Sequence, residues 1–292
     1  MIGAALVRKF AADGHAVVAA VRNVDKAKAM FGGLENVRIV DWDVTQPAPL
    51  EELSARAPTV RRIDHLVHAA SETSSRAFVE NPDAVRRVIV EGTRNVLAFA
   101  RAAQVKSMVF LSTFEVMLGL KGVRASYPDA KLAAEELCRA SGLNVSIARL
   151  AQTFGEGVRY DDGRVFAEFA RAILEKRDIV LKTGGTTARC YCYLGDAVEA
   201  IRILLEKGVR GEAYVVANEA TYCTIREMAE RLIAAHPESA SKLVFDTADA
   251  ASRGFAPPFQ LKLDSSPLRA LGWAPKVGLV EAFDRMMAGM AK

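Results

Sequence analysis

The sequence predicts an α/β protein built on a doubly wound parallel sheet, and three observations carry that reading. Short apolar runs alternate with helix-length amphipathic stretches, the pattern of strands joined by helical crossovers. Hydrophobic residues make up 51% of the chain and charged residues 25%, an ordinary balance for a chain that buries a core. The 292 residues suit one large domain or two small ones, and past about residue 150 glycines and turns become denser.

In chain order, residues 4–13 read as a helix stopped by Gly14. Residues 15–21 read as a buried strand, 26–31 as a short helix, and 37–42 as a strand closed by Asp43 and a turn at Pro47. A helix is expected over 50–56, a strand over 63–69 and a long helix over 82–104. The apolar run 107–111 is a strand with Ser112 and Thr113 at its end, followed by a helix over 128–140 and a strand over 144–150. Beyond it, 165–175 and 196–206 are amphipathic helices, and 179–181 and 213–216 are strand-sized. Thr224, with Glu227 three residues later, makes a capping box for a helix ending at 235. The glycine-rich segment 182–186 reads as a hairpin turn. The expected organisation is a nucleotide-binding domain over 1–150 and a smaller substrate-binding region over 151–292, with some chain crossing back to the first.

Several function classes are excluded. A net charge of +4, scattered along the chain, gives no footprint for nucleic acid. No apolar run approaches the ~20 residues of a membrane helix, and no cationic-then-apolar signal segment is read. Cys138, Cys190, Cys192 and Cys223 form no Cys-x-x-Cys, and the four histidines complete no metal set. The cysteines read as small buried hydrophobes of a reducing, cytoplasmic compartment, with Cys190 and Cys192 on alternate faces if in a strand.

The chemistry concentrates after the strand at 107–111. Tyr127 and Lys131 are four residues apart, so on a helix they share a face. A nearby ammonium favours the phenolate and brings tyrosine toward use as an acid or base near neutral pH. Thr113 at the strand end supplies a hydroxyl for the reacting oxygen. A lone Tyr-x-x-x-Lys also arises on solvated helix faces, but here it follows a strand ending in Ser-Thr and opens a helix.

With that arrangement the chain resembles the extended short-chain dehydrogenase/reductases, the NAD(P)-dependent nucleotide-sugar epimerase and dehydratase family, whose Rossmann-like sheet binds the dinucleotide. The resemblance spans nearly the whole chain. Glu91-Gly92-Thr93-Arg94-Asn95 matches a helix motif of the group that carries fold and often helps form a dimer, so a homodimer is expected. The segments 149–157, 189–196 and 262–275 match three further signatures. The resemblance implies Thr113, Tyr127, Lys131 and Glu115 as catalytic residues. It implies Gly3, Arg22, Asp43, Val44, Ala69, Ala70 and Ser71, with Tyr127 and Lys131, as contacts to NAD or NADP. Arg22 stands where NAD binders place an acid, and a cation there favours the 2′-phosphate of NADP. Gln152 and Arg189 are implied as contacts to a nucleotide-sugar-like substrate, with an ion pair to Asp196 the competing reading of Arg189. His68 reads as packing.

Two departures bear on function. Met1-Ile2-Gly3 matches only the end of the family's Gly-x-x-Gly-x-x-Gly turn, so the first strand and two glycines are expected upstream of a late start, the alternative being a natural variant. Phe114 stands where the dehydratases carry an aspartate, which argues against plain 4,6-dehydration. The expected function is an epimerase/dehydratase-type or decarboxylase-type enzyme acting on a nucleotide sugar. An NADP(H)-dependent reductase of a 4-keto sugar and a non-catalytic nucleotide-binding protein are the alternatives.

Overall fold

The structure, a computed structural model, describes residues 1–50, 63–72, 75–121, 125–247 and 258–290. The helix expected over 50–56 falls, beyond Leu50, on residues outside the described ones. Contacts divide the chain into two compact units.

The first unit comprises residues 1–150, 198–214 and 271–273. It alternates α1 (Ile2–Ala12), β1 (Val17–Val21), α2 (Val24–Phe31), β2 (Val37–Asp41), β3 (His65–His68), α3 (Ser75–Glu80), α4 (Pro82–Ala102), β4 (Ser107–Thr113), α5 (Ser126–Ala140) and β5 (Val145–Leu150). Local chemistry sets the helix starts. Asn23 accepts the N–H of Lys26 at 2.8 Å, and Asn81, ahead of Pro82 at the first turn, accepts that of Ala84 at 3.2 Å; both are N-caps. All seven residues of β4 are buried, as a central parallel strand covered on both faces requires. Ile89 and Val96 of α4, Ala130 and Ala134 of α5, and Phe110 and Ile147 of the sheet fill the core between these layers. Helix α5 begins earlier than its apolar pattern indicates, at Ser126, and takes in Tyr127.

The parallel sheet is in two parts. β1 pairs with β2. β3, β4 and β5 pair in that order, and the last continues to a strand starting at Ala213. Among the described residues no pairing joins β1 to β3. Both strands instead line one cavity of about 1160 Å³.

The Glu91–Asn95 motif has a visible structural task. A Cβ added at Gly92 would lie 2.9 Å from Cγ2 of Val44. Asn95 donates to the Val44 carbonyl at 2.8 Å, and Thr93 lies 3.1 Å from Nε2 of His68. The motif thus ties α4 to the strand ends that border the cavity.

The second unit comprises residues 151–197, 215–270 and 274–292. It begins with β6 (Gln152–Phe154), α6 (Val165–Leu174), β7 (Ile179–Leu181) and β8 (Ala188–Tyr193). The chain then passes through α7 (Leu194–Lys207) and β9 (Ala213–Val216), whose residues 198–214 belong to the first unit, and returns with β10 (Asn218–Thr224), α8 (Ile225–Ala235), β11 (Leu243–Phe245), β12 (Gln260–Leu261), α9 (Ser266–Ala270) and α10 (Leu279–Gly289). β8 pairs antiparallel with β10 and parallel with β6 and β12. Phe154, Phe166, Tyr191 and Phe283 centre the core. The capping box forms as the sequence indicates: Thr224 accepts from the Glu227 N–H at 3.0 Å and Glu227 from the Thr224 N–H at 2.7 Å.

Two expectations are corrected. The segment 182–186 is not a hairpin turn, because β7 pairs in parallel with β11 rather than with β8. It carries the chain from one sheet to another, with Gly185 at φ +67°, a conformation that favours glycine. Cys190 and Cys192 both lie in β8, and residues two apart on a strand share a face instead of alternating. Both are buried, as are Cys138 and Cys223. Among the described residues no helix is long and apolar enough to cross a membrane. No group of three His, Cys, Asp or Glu residues there is placed to hold a metal ion.

Gly92→Ala should destabilise the protein by about 1–3 kcal/mol, the usual cost of overpacking a tight contact. Urea unfolding reads this directly, and a change within a few tenths of a kcal/mol would show that Val44 yields freely.

Candidate active site

Three successive residues at the end of β4 each hold one residue of α5. The carbonyl of Leu111 accepts a hydrogen bond from Nζ of Lys131 at 2.7 Å. The hydroxyl of Ser112 donates to Glu135 at 2.6 Å. The hydroxyl of Thr113 lies close enough to the Tyr127 phenol to favour its ionised form, and it accepts the N–H of Glu115 at 3.3 Å. Tyr127, Lys131 and Glu135 are spaced at four residues, so one helix face presents all three to one strand end.

Tyr127 is held from other sides too. Its ring stacks on Phe78 of α3, with centroids 4.3 Å apart and planes at 10°. Ser126 donates to the Phe78 carbonyl at 3.1 Å. The Ser71 hydroxyl, which donates to the Glu72 carbonyl at 3.1 Å, also lies close enough to favour the ionised form of Tyr127. Nζ of Lys131 lies 5.9 Å from the centre of the Tyr127 ring and 4.9 Å from that of Phe110. The structure therefore brings Thr113, Tyr127 and Lys131 together and places Glu115 near them, on the 3-10 turn Phe114–Met117. Sequence reasoning missed Phe78, and it read Ser71 only as a cofactor contact. It also missed Glu135, although the repeat of the four-residue spacing was there to be read.

The electrostatics reverse one expectation. Burial pushes the Tyr127 phenol above its ordinary value, the Glu115 carboxylate adds to the rise, and the Thr113 and Ser71 hydroxyls only partly offset it. Lys131, expected to pull the phenol down, directs its ammonium to the Leu111 carbonyl, and burial pulls its own value down to about 7. The expectation failed because desolvation penalises both charged forms, and the depth of burial is not written in a four-residue spacing. His68 is buried and its imidazole is driven down to about 3, by burial first and by Lys131 second. It is neutral, and it serves as packing.

Gly3, Arg22, Asp43, Val44, Ala69, Ala70 and Ser71 all line the cavity between β1 and β3. A Cβ at Gly3 would meet only the Ala69 Cβ, at 3.8 Å. The first turn of α1 carries neither an acidic residue nor a side-chain cap, so its N–H groups suit an anionic group. The N–H and hydroxyl of Thr45 both donate to Asp43 at 2.9 Å. With Arg22 and Arg87 nearby, these bonds keep its carboxyl below the usual carboxylate range. Small residues at Gly3, Ala69 and Ala70 and an ionised Asp43 are the features here that suit a dinucleotide, on a cavity whose lining also includes the apolar Leu6, Phe10, Val96 and Phe99.

In the second unit, Gln152 of β6 stands opposite Tyr191 of β8. The Arg189 guanidinium lies 5.3 Å from the centre of the Phe259 ring. Among the described residues its Nε and the Tyr191 hydroxyl are buried with no well-formed hydrogen bond, although Arg189 is close enough to Tyr191 to favour the phenolate of that residue. Asp196, the expected partner of Arg189 in the competing reading, accepts the N–H groups of Lys276 and Val277, each at 3.0 Å.

Lys131 yields a pH prediction. Its folded value, about 7, lies below the ordinary 10.5. Between the two the unfolded chain holds the extra proton, so the contribution of this group to stability rises with pH across that window. Wild type should gain stability relative to Lys131→Met as pH is raised from about 7 toward 10.5 in urea unfolding. A difference that stays constant with pH would mean that the buried amine is not desolvated as described.

Comparison with known proteins identifies the fold and the family of the chain. The model of the NAD dependent epimerase/dehydratase family matches residues 1–217. UDP-glucuronic acid decarboxylase 6 of Arabidopsis thaliana is 29% identical over 275 residues, covering 87% of this chain and 74% of its own. The solved UDP-glucose 4-epimerase of Thermotoga maritima superposes with a TM-score of 0.79 at 21% identity, over 99% of this chain and 95% of that one. The UDP-glucuronic acid 4-epimerase of Bacillus cereus does so with a TM-score of 0.78 at 18% identity, again over 99% and 95%. These two share the Rossmann-type fold seen here. With three quarters of its length inside the family model, the chain belongs to the NAD dependent epimerase/dehydratase family of enzymes.

Proposed function

We propose that the protein converts a nucleotide-linked sugar by an oxidation-led reaction of the decarboxylase or epimerase type, with a UDP-hexuronic acid as the substrate class. The observation that carries this is the Thr113–Tyr127–Lys131 cluster, joined through the Ser71 hydroxyl to a cavity suited to a dinucleotide. The similarity to a UDP-glucuronic acid decarboxylase supports the substrate class. Phe114 in place of an acid points away from dehydration.

Bound NAD would supply the acceptor and later the donor of one hydride. The residues of this chain handle the proton. Tyr127 acts as the base only as its phenolate: it first gives its own proton to solvent, with Lys131 favouring the anion, and then receives the proton of the sugar hydroxyl, with Thr113 and Ser71 orienting the two oxygens. Burial favours the protonated phenol, so loss of the Tyr127 proton precedes oxidation, and the reprotonated phenol then holds the proton for return to the sugar. Glu115, beside Tyr127, is assigned to the step after oxidation. Gln152 and Arg189 are assigned to the substrate, where the guanidinium of Arg189 suits a phosphate oxygen. Arg22 at the cavity supports NADP as well as NAD. The division of labour between a dinucleotide-binding first unit and a substrate-binding second unit, and a homodimer formed through α4, rest on family resemblance.

Supplied with NAD and UDP-glucuronic acid, the protein should release a product lighter by one carbon dioxide if it is a decarboxylase, or an isomer of unchanged mass if it is an epimerase. A reductase would instead consume NADPH in proportion to product. Tyr127→Phe should lower turnover by roughly 10²–10⁴-fold, and a variant as active as wild type would overturn the assignment.

A further inference from the structure

Glu135 is a fully buried carboxylate to which the proton transfer gives no role. It sits one turn beyond Lys131 on α5. Oε1 accepts hydrogen bonds from Ser112 at 2.6 Å and from Nε of Arg149 at 3.0 Å. Oε2 accepts from Nη2 of Arg149 at 2.7 Å and from Nη2 of Arg139 at 3.0 Å. Burial alone would push this carboxyl up, but the bonds from Arg149 and Ser112 outweigh it and leave it below the usual carboxylate range. Glu135 is therefore ionised and cannot turn.

Lys131 needs such a neighbour. Its ammonium has one carbonyl and two aromatic faces for solvation, and an isolated buried cation is costly. Few groups acting on it carry charge. His68 on β3 is neutral. Burial drives the Cys138 thiol up to about 12, so it stays uncharged. The Tyr127 phenol is protonated, and the Glu115 carboxylate acts on that phenol. Glu135 is the ionised group among those that favour the charged form of Lys131, and Arg149 and Arg139 share its charge.

The geometry points to Glu135 as a positioning residue: pinned by Ser112 and Arg149, it fixes the turn of α5 that carries Lys131 and supplies an anion that opposes the loss of the Lys131 proton. Its value to catalysis rests on the function proposed above, but its physical content is read without turnover. A residue that merely tied helix to sheet would not govern the protonation of a lysine one turn away.

The test follows the titration of Lys131 by NMR in protein labelled at lysine side-chain carbons, with Lys131→Arg identifying the signal. In Glu135→Gln, which retains an acceptor but no charge, the Lys131 midpoint should fall by about one pH unit or more, the scale of a lost neighbouring charge. In Arg139→Ala, which removes a half-exposed competing cation, it should rise. A folded Glu135→Gln with an unmoved midpoint overturns the proposal. Should that variant not fold, a midpoint that stays or falls in Arg139→Ala overturns it equally. Wild-type protein inert toward every nucleotide sugar would count against the proposed reaction and not against this titration.

Discussion

The end of β4 is the constraint on which the site depends. Leu111, Ser112 and Thr113 reach across to Lys131, Glu135 and Tyr127, so a strand that advances about 3.3 Å per residue is matched to a helix that returns a side chain to one face every four residues. No single bond of this set is exceptional. Together they leave α5 one register against β4, because a slip of a residue would strand a carboxylate, an ammonium and a hydroxyl in a dry interior. Buried polar groups of this kind specify a geometry more than they stabilise it.

That geometry also sets the charge state at rest. A phenol and an amine inside the same apolar layer both shift toward their neutral forms, in opposite directions on the pH scale. An exposed Tyr-x-x-x-Lys would behave as two independent groups with ordinary values. Here the same burial that holds the side chains in place holds the proton on the phenol, and the hydroxyls of Thr113 and Ser71 are what draw it toward release.

Much of this was legible in the sequence. Alternating apolar runs gave the strands and helices, since burial on two faces of a parallel sheet leaves a continuous apolar signature, as in β4. The capping box at Thr224 was readable because its two hydrogen bonds are local. The placement of Tyr127 and Lys131 was readable for the same reason. What failed was whatever depends on distant chain. The segment 182–186 looks like a hairpin turn, yet the partner of β7 is β11, some sixty residues on. Glu135 continues the helical spacing in plain view, but only Arg149 on β5 and Ser112 on β4 reveal that it is fixed. Phe78 carries no signal by itself, because stacking on Tyr127 requires α3 to fold against α5.

The two halves of the first unit differ in how completely their backbones are paired, and this separates proton handling from dinucleotide binding. β4 is paired along both edges and buried throughout, so the residues it holds do not depend on the cavity for their positions. Arg22, Asp43 and Gly3 instead follow the β1–β2 pair and α1, and β1 meets the rest of the unit across that cavity. Among the described residues the second edge of β1 has no strand partner, and such an edge resists displacement less than one locked in a ladder. Ser71 lies where the halves meet, since it lines the cavity and its hydroxyl also acts on the Tyr127 phenol. The Lys131 and Glu135 rungs behind it stay where β4 puts them.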